Sequence, residues 1–308
     1  MNIAIYTLTS ELHDEQAVGA VTQEFLNSLD ITYELKGSDY TDYGSASLDL
    51  IYVRTGGTEG IFKRLLPELM KKSVRPFYLL TSGKSNSLAA SMEILSYLRQ
   101  NSFKGEILHG RPEYISQRIK LLAKVGEAQR SLQGCRLGII GEPSDWLISS
   151  HADKVTVKQR LGISLIDIPM QELRDTIAIT PLRETSEQAS ADNIKKALPV
   201  ANQIYDALKT IIERYELQGF TIRCFDLLTA VHNTGCLALA KLNAEGIVAG
   251  CEGDVPAMLS MKIAQSLIGV SGFQANPASI DPETCEMLFA HCTIPFNMVE
   301  RYEFDTHF

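Results

Sequence analysis

Short apolar runs alternate with amphipathic stretches from the first residues of this chain, and a second series of the same kind starts at Cys135. A strand covered on both faces reads as a near-continuous apolar run of five or six residues. An amphipathic stretch between two such runs supplies the crossover that parallel strands need. The series therefore demands parallel sheets with helices on both faces. In the first series, strands are expected over Asn2–Thr7, Ile31–Leu35, Leu48–Arg54, Arg75–Thr81 and Glu106–His109. Helices are expected over Glu15–Leu29, Thr58–Lys72 and Ser87–Asn101, and Val18, Val21, Phe25 and Leu29 share one face of the first. Pro112–Leu132 reads as a long helix.

The second series places strands at Arg136–Ile140, Ser164–Ile168, Thr221–Asp226 and Ile247–Cys251, with helices at Ala152–Leu161, Asp192–Tyr215, Gly235–Asn243 and Ala257–Leu267. Ser190 and Asp192 are the N-cap candidates of the long helix. Two more strands are expected at Gly272–Ala275 and Met287–Cys292. The fold expected is α/β, as two doubly wound, Rossmann-like parallel-sheet domains. They cover residues 1–111 and 135–308, with a linking helix over 112–134. A length of 308 residues with 45% hydrophobic content is enough for two such cores.

Charge and hydropathy narrow the partners. The net charge is −8 and no Lys/Arg stripe occurs, so no nucleic-acid partner is expected. No apolar run approaches the ~20 residues of a membrane span, so no membrane partner is expected either. The start, MNIAIYTLTSELHDE, reads as a strand and lacks the features of a signal peptide. A cytoplasmic location is the expectation. The six cysteines form no CxxC pair and mostly sit in apolar runs, so buried reduced thiols are expected.

Ligands of such sheets bind beyond the carboxyl ends of the strands, so the strand ends are where functional residues are expected. Arg54-Thr55-Gly56-Gly57-Thr58 and Thr81-Ser82-Gly83-Lys84-Ser85 are polar, glycine-bearing loops suited to a sugar or phosphate, or simply to turns and caps. Neither is a nucleotide-binding motif. Trp146, the only tryptophan, follows Glu142 and Ser144 and serves either to stack on a sugar face or as a half-buried anchor. His232 and Asn233 end another strand and read as polar substrate contacts. Glu252-Gly253-Asp254 follows an apolar strand. Asp254 is placed to cap the helix that Pro256 begins. Capping leaves Glu252 unexplained, and a carboxylate at a central strand end needs an ion-pair partner or a cation. Asn276 and His291 fall at or near later strand ends, so Glu252, Asn276 and His291 can converge on one mouth, and oxygen donors with an imidazole suit Mn²⁺.

Glu252-Gly253-Asp254 with a following helix, then strand ends at Asn276 and His291, resembles the metal-binding region of the L-fucose/L-arabinose isomerase family. The resemblance covers most of the chain, as the first two α/β domains of the fucose isomerase type. It implies metal-dependent aldose–ketose isomerisation of a deoxyhexose or pentose through an ene-diol, with Mn²⁺ or another divalent cation. It also implies a small-molecule sugar as partner and a homo-oligomer. Glu252 falls on the family's metal-binding and acid/base glutamate, and His291 is similar to a metal-binding histidine. Trp146, Arg54, His232 and Asn233 fall where substrate contacts are expected. Two departures stand out. Asn276 occupies the place of a second acidic ligand, and an amide carries no charge. The resemblance implies a β-rich third domain with a late histidine ligand, which is not expected within these residues, and His307 is not expected to replace that ligand. These departures leave a non-catalytic sugar-binding protein with a degenerate site as the alternative.

Overall fold

The computed structural model describes residues 2–73, 75–184, 187, 189 and 191–306. Ser190 and His307 lie outside the described residues. The chain divides into two compact units, Met1–Arg130 and Ser131–Phe308. Each is an α/β layer structure. Among the described residues, no helix is long and apolar enough to cross a membrane.

Unit 1 contains β1 (Ile3–Leu8), α1 (Glu15–Asn27), β2 (Glu34–Gly37), β3 (Leu48–Val53), α2 (Glu59–Lys72), β4 (Phe77–Leu80), α3 (Ser87–Gln100) and β5 (Gly105–Leu108), then α4 (Pro112–Leu132). Its sheet is parallel with order β2-β1-β3-β4-β5. Successive strand residues point to opposite faces, and the core splits accordingly. Tyr6, Ile51 and Leu79 meet Phe62, Leu69 and Ile94 of α2 and α3 on one face. Ile5, Leu50 and Leu80 meet Leu26, Ile115 and Ile119 of α1 and α4 on the other. Each fully buried apolar side chain of this kind stabilises the unit by about 1.5–3 kcal/mol.

Unit 2 contains β6 (Arg136–Ile140), α5 (Lys154–Leu161), β7 (Ser164–Ile168), α6 (Met170–Ile179), α7 (Asp192–Tyr215), β8 (Gly219–Ile222), α8 (Asp226–Val231), α9 (Cys236–Ala244), β9 (Val248–Gly250) and α10 (Val255–Ile268). A hairpin of β10 (Asn276–Asp281) and β11 (Glu286–Ala290) and a 3₁₀ turn at Phe296–Met298 follow. The main sheet is parallel with order β7-β6-β8-β9. Leu173, Leu208, Ile211 and Leu239 of α6, α7 and α9 pack with Phe220 and Ile222 on one face. Val157, Met258 and Leu259 of α5 and α10 pack with Leu137, Ile139 and Val248 on the other. In both units the strand order reverses between the first and third strands. The crevice that ligands use in this topology lies there, outside the carboxyl ends of the strands.

Several expected elements differ. The strand expected at Thr221–Asp226 stops at Ile222, because Asp226 opens α8 and its carboxylate takes the Arg223 Nε at 3.2 Å. The helix α6 was not anticipated, although Pro169 precedes it and Leu173 and Ile177 share one face. No strand forms at Gly272–Ala275: the Cys251 N–H bonds to the Gln274 side-chain Oε1 at 2.8 Å, so no ladder extends from β9. Asn276 instead begins an exposed antiparallel hairpin, so it does not end a parallel strand. The strand expected at Met287–Cys292 ends at Ala290 and belongs to this hairpin, outside both parallel sheets. Asp281 Oδ1 folds the hairpin turn by accepting from the Glu283 and Thr284 N–H groups. Finally, Cys285 and Cys292 are exposed, contrary to the expectation of buried thiols.

Candidate functional site

At the exit of β9 the chain takes two consecutive left-handed residues, Glu252 with φ of 63° and Gly253 with φ of 69°. A Cβ at Gly253 would sit 2.6 Å from the Glu142 carbonyl oxygen and 2.8 Å from Pro143 Cα, so only glycine fits. The Gly253 N–H donates to the Ile222 carbonyl and the Ser144 N–H donates to the Glu252 carbonyl, each at 2.9 Å. The end of β8 and the loop after β6 thus clamp Glu252 from both sides. Asp254 then caps α10, its Oδ1 accepting from the Ala257 N–H at 2.8 Å, with a proline in the first turn. A glutamate in the left-handed region costs about 1–2 kcal/mol relative to glycine. Such strain persists only where neighbours over-determine the conformation, and it clusters at functional sites.

The Glu252 side chain finds two partners. Trp146 Nε1 donates to Oε2 at 2.9 Å. His291 Nε2 stands 3.9 Å from Oε1. The Trp146 ring is set edge-on against Phe225, with centroids 5.3 Å apart, and is 54% exposed. Its loop is anchored by Arg223, which reaches both Asp145 oxygens at 3.3 and 3.0 Å and the Pro143 carbonyl at 3.1 Å. His291 Nδ1 lies 3.0 Å from Thr293 Oγ1 and 3.7 Å from Cys292 Sγ. The hydrogen bond with the adjacent Cys292 sulfur, aided by the nearby Glu252 carboxylate, holds the imidazole above its ordinary value, against the opposing effect of burial. Glu252, Asn276 and His291 line one crevice of about 240 Å³ with Phe225, Cys251, Ala290 and Cys292.

Whether these residues suit a divalent ion is decided by the donor set. Glu252 and His291 offer one charged oxygen and one imidazole within reach of a single ion. Asn276 adds only a neutral amide. Among the described residues, no group of three His, Cys, Asp or Glu side chains is placed to hold a metal ion. The described residues alone do not make a complete metal site.

The other sequence candidates are placed differently. Arg54 belongs to unit 1, where it is 7% exposed and donates through Nε to Thr22 Oγ1 at 2.8 Å. With Thr7, Ser10, His13 and Ser38 it lines a polar crevice of about 890 Å³ at the carboxyl ends of β1 and β3. His232 is exposed at the C-terminal end of α8, with φ of 52°. The Asn233 amide donates to the Ala197 carbonyl at 2.9 Å and so ties the α8–α9 turn to α7. Phe225, Arg223 and Cys292 were missed in the sequence. Arg223 and Asp226, three residues apart after an apolar strand, were the available signal for a structured turn there.

No family model matches the chain. It is similar to the sulfoquinovose isomerase of Priestia aryabhattai, 23% identical over 219 residues. It is also similar to those of Alkalicoccus urumqiensis, 24% over 222 residues, and of Clostridium sp. (strain MSTE9), 25% over 192 residues. These alignments cover 67%, 67% and 58% of this chain but 49%, 49% and 42% of the relatives. The chain therefore spans about half the length of the curated relatives it matches. The likeness is to sugar isomerases as a class.

Proposed function

We propose that this chain carries the proton-transfer site of an aldose–ketose isomerase acting on a sugar. The observation that carries the reading is the orientation of Glu252: Trp146 holds one carboxylate oxygen, and the other faces His291 across the crevice. In isomerisation a proton leaves C2 of the open-chain aldose and returns at C1, while the hydroxyl proton on O2 is lost and O1 gains one. A single carboxylate on one side of the sugar suffices for the carbon-bound proton. Glu252 Oε1 removes it from C2, leaving an ene-diol, and delivers it to C1. His291 moves the proton between O2 and O1, a task suited to an imidazole, which can both accept and donate a proton. The Trp146 N–H holds Glu252 in one orientation through the sequence. Were a divalent ion held by Glu252 and His291, it would supply Lewis-acid polarisation of the sugar oxygens.

The relatives' name makes sulfoquinovose, a sulfonated deoxyhexose, the first substrate to test, beside L-fucose and L-arabinose. The protein is incubated with each aldose, with and without Mn²⁺, and ketose is quantified. Turnover of at least one aldose is expected. Replacing a general base costs about 10²–10⁴-fold, so Glu252→Gln should fall by that factor. No ketose from any of these sugars would defeat the proposal. Asn276, where a second acid is expected by resemblance, favours a second reading as a sugar-binding protein. That reading requires a sugar that raises the melting temperature and is never converted.

A further inference from the structure

Four cysteines from four separate stretches of unit 2 converge beside the Glu252–His291 pair. Cys224 follows β8, Cys236 opens α9, Cys251 follows β9 and Cys292 follows His291. The sulfurs of Cys224 and Cys251 lie 3.0 Å apart, and those of Cys236 and Cys292 lie 3.4 Å apart. Cys251 and Cys292 line the same crevice. Accessibility differs sharply: Cys224 and Cys251 are buried, Cys236 is half-buried and Cys292 is exposed. Cys292 also lines both the crevice that holds Glu252 and a neighbouring cavity of about 300 Å³ that Cys236 lines too. An accessible thiol beside a less accessible one is the arrangement of a reversibly oxidised pair. Thiol–thiol hydrogen bonds are weak, so they are a poor reason by themselves to bring four sulfurs together.

We infer that Cys292 and Cys236 form an oxidation site, in which hydrogen peroxide converts the two thiols to a reversible disulfide. The Cys292 sulfur attacks one peroxide oxygen. The O–O bond breaks, water leaves with the thiol proton, and Cys292 carries a sulfenic acid. The Cys236 sulfur then attacks the Cys292 sulfur, the S–O bond breaks, and a second water leaves. Two thiols lose two electrons and one peroxide becomes two waters. The sulfurs close from 3.4 Å to a bond of about 2.05 Å by side-chain rotation. Cys251 is a poorer resolving thiol, because it is buried and already engaged at 3.0 Å with Cys224. The bond joins residues 56 apart in sequence and staples the root of the β10–β11 hairpin to α9. It thereby fixes the strand end that carries His291.

The test uses the full chain and hydrogen peroxide, followed by alkylation of remaining thiols, digestion and mass spectrometry. The expected result is loss of two of the six thiols and one peptide pair linking Cys236 to Cys292, both reversed by dithiothreitol. In Cys236→Ser the cross-link vanishes and a sulfenic acid on Cys292 is trapped by dimedone. Cys285→Ser leaves the cross-link intact. Amide hydrogen exchange across residues 276–292 slows in the oxidised chain. Retention of six thiols would overturn the inference. So would a cross-link from Cys292 to Cys251, dimers joined through Cys285 alone, or unchanged exchange in the hairpin. None of these readouts depends on sugar isomerisation.

Discussion

Glu252 is held at φ of 63°, and that strain can be measured apart from the chemistry of its carboxylate. The perturbation is a pair of variants, Glu252→Ala and Glu252→Gly. Both lose the bond from Trp146 and the pairing with His291, so those losses cancel in the comparison. Two terms remain. Glycine relieves the left-handed backbone, worth about 1–2 kcal/mol. Alanine restricts the unfolded chain, worth about 0.4–1 kcal/mol in its favour. The first outweighs the second, so the glycine variant should be the more stable by about 0.5–1 kcal/mol. At an ordinary negative φ the order would be reversed, so the sign alone decides. Urea unfolding followed by circular dichroism gives the two midpoints, and an equal slope licenses the comparison. In thermal melts the same difference is about 1–4 °C for a unit of this size. An alanine variant as stable as the glycine variant, or more so, would refute the claim that Glu252 is strained. Both variants should lose proton transfer alike. A glycine variant that is more stable than the alanine variant, with both inactive, is the expected mark of strain retained for function.

Three further outcomes follow from the same geometry. The titration midpoint of His291, read by NMR, should lie above the ordinary value of about 6.5, and Cys292→Ser should lower it more than Glu252→Gln, since the Cys292 bond is the leading cause. With the folded value raised, the stability contributed by the imidazolium is complete below about pH 6.5 and is lost as pH rises through the raised value. Trp146 is the only tryptophan and touches Glu252, so its emission should shift when a sugar fills the crevice. Trp146→Phe should slow turnover about tenfold, the equivalent of one hydrogen bond of ~1.4 kcal/mol; an unchanged rate would remove Trp146 from its positioning role. Gly253→Ala meets both a φ of 69° and two backbone atoms of the 142–143 loop. It should cost about 2 kcal/mol or more in urea unfolding, and a cost under about 0.5 kcal/mol would show that the loop yields freely.

The parallel cores were legible because strands covered on both faces leave apolar runs such as Leu48–Val53 and Arg136–Ile140. The long helix α7 was legible from its one apolar face, and the Asp254 cap from the proline and helix after it. The segment after α10 misled for a physical reason. Met287, Leu288 and Phe289 fall in the strand expected at Met287–Cys292, yet they are 51–61% exposed on the hairpin. The turn signal at Asp281-Pro282-Glu283 makes the two strands one hairpin. The short helices α6 and α8 carry too few turns for periodicity to stand out. Within the candidate site, Glu252 stood out because capping did not explain it. Its partner Trp146 lies 106 residues away in sequence, and no local pattern reports that contact. The convergence of Cys224, Cys236, Cys251 and Cys292 is likewise a product of topology, since the ends of β8, β9 and β11 and the start of α9 meet only in the folded unit.

Proton transfer at the carbon next to the carbonyl is the step assigned to Glu252, and solvent exchange observes it directly. Sulfoquinovose and the other aldoses are incubated with the protein in deuterium oxide, with and without Mn²⁺, and the C2 position is followed by NMR. The expected result is deuterium at C2 of at least one recovered aldose, or at C1 of its ketose, with the rate lowered about 10²–10⁴-fold in Glu252→Gln. No deuterium at carbon with any of these sugars, or incorporation that Glu252→Gln leaves unchanged, would contradict the assignment of Glu252 as the proton carrier.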